Sequence, residues 1–122
     1  MQSKCETDIR SLPGCAVIEL RGEVDGSAAA TLSAAYDAAV AQDQPPCVLL
    51  DFAQVDYINS TGIALIVGLL ARARAQERPV SACGLSEHYR EIFEITRLSD
   101  FIELQPDLAA AVGAGAVEQS AG

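Results

Sequence analysis

Asp51-Phe52-Ala53-Gln54-Val55-Asp56-Tyr57-Ile58-Asn59-Ser60-Thr61-Gly62-Ile63-Ala64-Leu65 is the stretch that decides how this chain folds. It follows the apolar run Cys47-Val48-Leu49-Leu50. Consecutive apolar positions are the pattern of a parallel strand buried on both faces, not of an alternating surface strand. The stretch therefore reads as a strand ending at Asp51, a loop, and a helix from Ser60 to about Gln76. Ser60 and Thr61 then stand at the start of that helix. Helix N-termini carry unpaired N–H groups and a partial positive charge, so they accept anions. A serine there can act as N-cap, and it can also gain a phosphate without breaking the helix. The two roles are compatible, because a capping hydroxyl is already aimed at the N–H groups that would receive the phosphate. This suits a switch better than an active site.

Working outward, Thr7–Ser11 and Cys15–Arg21 flank the turn pair Pro13-Gly14 and read as a β-hairpin. Residues 22–26 read as a loop, and Ser27 as the cap of a helix to about Gln42 that buries Ala28, Leu32, Ala35, Ala39 and Val40. Gln44-Pro45-Pro46 stops it. In the next helix Ile63, Ile66, Val67 and Leu70 share one face. Pro79–Gly84 is a further strand. Ser86 and Glu87 start a third helix through Arg97, with Ile92 and Phe93 inward and Tyr89 a candidate beside them, and Phe101–Leu104 is the last strand. Asp107 is placed to cap a short helix, Leu108–Val112, and the Ala/Gly/Ser-rich residues 113–122 read as a disordered tail. Strands alternating with helices imply parallel, right-handed crossovers. Short connections place the strands side by side in sequence order. The expectation is one α/β domain over residues 5–112, with a mostly parallel sheet and an N-terminal hairpin.

Composition narrows the function. The chain has 122 residues and a net charge of −9, which argues against binding a nucleic-acid backbone. No run has the length and purity of a membrane span, and no secretory signal opens the chain, so a cytoplasmic protein is expected. Cys5, Cys15, Cys47 and Cys83 show no C-x-x-C spacing. They read as buried thiols, with a disulfide or zinc site as the alternative. Ser60 has no base beside it in sequence, and His88 is the only histidine. No P-loop or dinucleotide fingerprint is present, so neither an enzyme nor a cofactor is expected.

Several short motifs in order carry a resemblance: Gly22-Glu23-Val24-Asp25, Asp51, Asn59-Ser60-Thr61-Gly62, Gly68, and Glu91-Ile92-Phe93-Glu94-Ile95-Thr96-Arg97-Leu98. Together they resemble the STAS domain, and more narrowly the bacterial anti-sigma factor antagonists. The resemblance implies a right-handed β-α superhelix and a partner-switching role. In such proteins the unphosphorylated form sequesters an anti-sigma factor that is also a serine kinase. Phosphorylation breaks the complex and a PP2C-type phosphatase reverses it. Carried onto this chain, the phosphoacceptor is Ser60, and the partner surface comprises Asp25, Asn59, Ser60, Thr61, Gly62, Ala64 and Gly68. No nucleic acid or membrane is implied, and the chain is expected to be a monomer or weak dimer. The family most often has Asp before the acceptor serine, whereas this chain has Asn59, which keeps a capping oxygen and removes a charge.

Two placements stay open at this level. Asp25 reads either as a neighbour of Ser60 along a shared sheet edge, with Asp56 beside them, or as a solvated or capping carboxylate. The small face Ala64, Gly68, Ala71 and Ala75 reads either as packing against the sheet or as a docking surface. A stressosome-like STAS scaffold module and a stand-alone small-molecule-sensing STAS module are the alternative functions. The first predicts a large oligomer and the second predicts stabilisation by a metabolite alone.

Overall fold

A computed structural model of the protein describes residues 4–41 and 44–106. The strands are β1 (Cys5–Leu12), β2 (Cys15–Val24), β3 (Val48–Ile58), β4 (Val80–Cys83) and β5 (Glu103–Gln105). The helices are α1 (Ala29–Ala41), α2 (Ser60–Ala75) and α3 (Glu87–Ile95), with 3-10 turns at Gly26–Ala28 and Leu98–Asp100. The five strands lie in sequence order, β1-β2-β3-β4-β5, as their short connections require. Only the β1–β2 hairpin is antiparallel. The proposed helix Leu108–Val112 and the tail 113–122 lie outside the described residues. Among those described, no helix is long and apolar enough to cross a membrane.

The main core lies between the sheet and its helices. Ile18, Leu20, Leu50 and Phe52 meet Leu32, Tyr36, Ile66 and Phe93 there. Val17, Leu49 and Cys83 are buried on the opposite face, so β3 begins as a strand covered on both sides, as its apolar run indicated. Phe52 meets the Phe93 ring edge-on at 6.1 Å, which ties α3 to β3. Tyr36 on α1 donates its hydroxyl to Gln76 Oε1 at 2.8 Å, and the Arg72 guanidinium lies over its ring. None of the four cysteines is bridged by a disulfide.

Several elements differ from the sequence expectations. β3 does not end at Asp51 but runs to Ile58, so residues 52–58 are strand rather than loop. β4 stops at Cys83, opposite Asp51, and beyond it β3 pairs with β2 alone. Exposed Gln54, Asp56 and Tyr57 hide that extension from an apolar count. β2 likewise continues to Val24 through an irregularity at Gly22. Gly22 has φ +91°, and a Cβ there would sit 2.3 Å from Lys4 O, so only glycine fits. Val67 is 44% exposed, and Leu69 and Ala73 join Ile66 and Leu70 in the core instead. α3 ends at Ile95, and Phe101 is an exposed turn residue after the second 3-10 turn rather than the start of β5.

Candidate functional site

The carboxyl ends of β2 and β3 form one edge, where Val24 pairs with Ile58. The Asn59 N–H continues the pairing by donating to Val24 O at 3.2 Å. α2 then starts hard against this strand end. A Cβ on Gly62 would lie 2.0 Å from Val24 O, so a side chain at this position would push the helix off the sheet. Gly62 is buried, and its contribution to the site is this close approach rather than an exposed contact.

Asn59, not Ser60, is the N-cap. Its backbone is extended (φ −97°), and its Oδ1 accepts the Gly62 N–H at 2.8 Å. Its carbonyl takes the first helical bond, from Ile63 N at 2.9 Å. Capping belongs to the residue with extended backbone just before the helix, and Ser60 already lies in the helix. Ser60 is exposed, and its hydroxyl makes no hydrogen bond among the described residues. The cap satisfies the Gly62 N–H, leaving those of Ser60 and Thr61 without an intrahelical acceptor. An exposed hydroxyl therefore stands at the positive end of a well-capped helix.

Asp25 caps the first 3-10 turn, so Ser27 lies inside that turn instead of capping α1. The Asp25 carboxylate accepts from Ser27 Oγ at 2.5 Å and from Ser27 N at 2.9 Å. These two bonds, the hydroxyl one foremost, hold its pKa below the ordinary carboxylate value, with help from Lys4. Its neighbours both touch the start of α2: Val24 through Asn59 and Gly62, and Gly26 through Thr61, whose Cγ2 lies 3.2 Å from where a Gly26 Cβ would be. Asp25 thus shares an edge with Ser60, although no hydrogen bond joins them among the described residues. Burial pushes the Cys5 thiol pKa up, and the Asp25 and Glu6 charges add to this. Asp56 is exposed on β3, not in a loop.

Tyr89 is half-buried and has a role that its spacing on α3 does not announce. Its hydroxyl accepts the Ile58 N–H at 2.9 Å, so α3 fixes the strand end immediately before Asn59. No local motif signals a contact between residues so far apart in the chain. His88 stays exposed, with an edge contact of 5.0 Å to the Tyr89 ring. On α2, Ala64, Gly68, Ala71 and Ala75 all face solvent, and a Cβ on Gly68 would meet nothing within 4 Å. The small face is an open surface, not a packing seam. Among the described residues no group of three or more His, Cys, Asp or Glu is arranged to hold a metal.

The sequence and the fold have counterparts in known proteins. Residues 6–111 match the STAS domain model. The chain is 35% identical over 89 residues to an anti-sigma-B factor antagonist of Listeria monocytogenes, covering 72% of this chain and 76% of that one. An anti-sigma factor antagonist from Mycobacterium paratuberculosis superposes with a TM-score of 0.73 at 24% identity, covering 90% of this chain and 92% of that one. The Bacillus cell fate determinant SpoIIAA, in its phosphorylated form, gives a TM-score of 0.67 at 19% identity over 89% of this chain and 99% of that one. An anti-sigma factor antagonist of Bordetella bronchiseptica is 30% identical over 95 residues, covering 78% of each chain. By its sequence match and its fold, this chain belongs to the STAS domain family, among the anti-sigma factor antagonists.

Proposed function

We propose that the chain is the phosphorylation-controlled member of a partner switch. Unphosphorylated, it binds an anti-sigma factor that is also a serine kinase and so frees a sigma factor. That kinase transfers a phosphate to Ser60 and the complex separates, and a PP2C-type phosphatase resets the chain. Such a role is regulatory, not enzymatic, and belongs in the cytoplasm beside its partners. The observation that carries this reading is the division of labour at α2. Asn59 does the capping, so the exposed Ser60 hydroxyl can be modified without removing a structural bond.

The surface for the partner is the strand edge with the open flank of α2: Asp25, Asn59, Ser60 and Thr61 above, Ala64 and Gly68 below, with Gly62 setting the approach. Small exposed side chains allow a second surface to come close. A phosphate adds about −1.5 to −2 charge at pH 7. In the unbound chain it is solvated and favoured by the helix N-terminus. Under a docked partner it would lose water beside the Asp25 carboxylate, which weakens the complex.

The test uses Ser60→Ala and Ser60→Asp as baits in native extract, with wild type incubated with ATP. Retention of an anti-sigma kinase on Ser60→Ala but not on Ser60→Asp, with a single phosphate on wild-type Ser60, is the expected result. Equal retention on both baits, or a phosphate at another residue, overturns the assignment.

A further inference from the structure

A groove opens where the C-terminal half of α2 meets the start of β4 and the second 3-10 turn, with a volume of about 580 Å³. Leu70, Val80 and Leu98 form its buried floor. Val67 and Phe101, 44% and 58% exposed, stand at its lip. Large apolar side chains this exposed, around a concave apolar floor, have the composition of a docking surface. The Arg74 guanidinium lies 5.3 Å over the Phe101 ring. Two of the other rim charges are otherwise engaged. Arg78 donates to Pro45 O and Gln76 Oε1, and Asp100 pairs with Arg97 at 3.3 Å. Glu77 also borders the groove, and it forms no ion pair with Arg74 among the described residues.

We propose that this groove is a second anchor of the partner surface, receiving a helix of the anti-sigma factor that presents a large apolar side chain next to a carboxylate. This rests on the partner-switching reading. Charge supports it: in a chain of net charge −9, Arg74 offers a cation without a carboxylate partner among the described residues. A guanidinium placed over an aromatic ring keeps its N–H groups free to grip a carboxylate by two parallel bonds. Position supports it too. Ser60, Ala64, Val67, Ala71 and Arg74 are all exposed and follow one another at alternating steps of four and three residues. That spacing draws one line along α2 from the phosphoacceptor into the groove, roughly 21 Å at the helical rise. It is also the spacing that keeps a second helix facing the first. A second copy of this chain fits poorly, because two copies of net charge −9 repel.

The experiment titrates the kinase that phosphorylates Ser60, purified, into wild type, Val67→Asp, Arg74→Glu and an exposed-charge control, Arg10→Glu, by calorimetry. The expected result is at least a tenfold loss of affinity for Val67→Asp and Arg74→Glu, a change within twofold for Arg10→Glu, and unaltered melting temperatures. If wild type binds and both groove variants bind equally well, the groove is not an anchor. If wild type itself does not bind, the partner-switching reading fails and takes the anchor with it. Sedimentation of the chain alone is the last check: a dimer that Arg74→Glu dissolves assigns the groove to a second copy and overturns the proposal.

Discussion

Gly62 and Gly68 sit in one helix, yet the same substitution should move stability in opposite directions. An alanine in a helix interior is favoured over glycine by about 1 kcal/mol. At Gly68 nothing opposes that gain, since the added Cβ meets no atom within 4 Å. At Gly62 the Cβ would lie 2.0 Å from Val24 O and 2.7 Å from Val24 C, both rigid backbone. The start of α2 would have to retreat by roughly 1 Å in a close-packed site. Such overpacking costs about 1–3 kcal/mol. The retreat also strains the Asn59 N–H bond to Val24 O, already 3.2 Å long, whose loss costs about 1 kcal/mol. Net, Gly62→Ala should destabilise by about 2 kcal/mol and Gly68→Ala should stabilise by about 1 kcal/mol. Urea denaturation at constant m-value reads both. If the two variants shift the midpoint the same way, the tight contact between α2 and the end of β2 is wrong. Gly68→Ala carries a second consequence: a more stable protein with a methyl group on the proposed docking surface should bind its partner less tightly.

Asn59→Ala should cost ~1 kcal/mol by losing the cap. Asn59→Asp should keep or slightly raise helix stability, but lower it once Ser60 is phosphorylated, so melting curves of both variants in both states separate capping from charge. Tyr89→Phe leaves the Ile58 N–H without its acceptor and should destabilise by about 1–2 kcal/mol, with faster amide exchange at Ile58 as the local signature. Because the folded pKa of Asp25 is lowered, its contribution to stability is present above the ordinary carboxylate value of 3.8 and is lost as pH falls through the folded one. Asp25→Asn should therefore show a flatter stability–pH curve below about pH 4, and identical curves for the two proteins would contradict the Ser27 bonds.

Where burial wrote the pattern, the sequence was readable. Val48, Leu49 and Leu50 are apolar in succession because both faces of the sheet are covered there, and strand order followed from the short crossovers. The second half of β3 was not readable, because Gln54, Asp56 and Tyr57 face solvent and only β2 pairs with them. Val67 misled for a related reason. Its spacing from Ile63, Ile66 and Leu70 fits a core face, but Leu69 and Ala73 define another, and packing chose that one. At the site, Asn59-Ser60-Thr61-Gly62 announced a helix start, while the choice of cap depended on backbone angles no composition reveals. The Tyr89–Ile58 bond and the close approach of Gly62 to Val24 are tertiary facts, formed between segments that the sequence keeps apart.

On the partner-switching reading, one phosphate on Ser60 changes binding without changing the fold. Calorimetric titration of the purified anti-sigma factor with unmodified and Ser60-phosphorylated protein, alongside melting curves of both forms, tests it most directly. Phosphorylation should lower the affinity by more than a hundredfold, roughly 3 kcal/mol, with melting temperatures nearly equal. Equal affinities, or a weakened complex accompanied by a large drop in melting temperature, would contradict it.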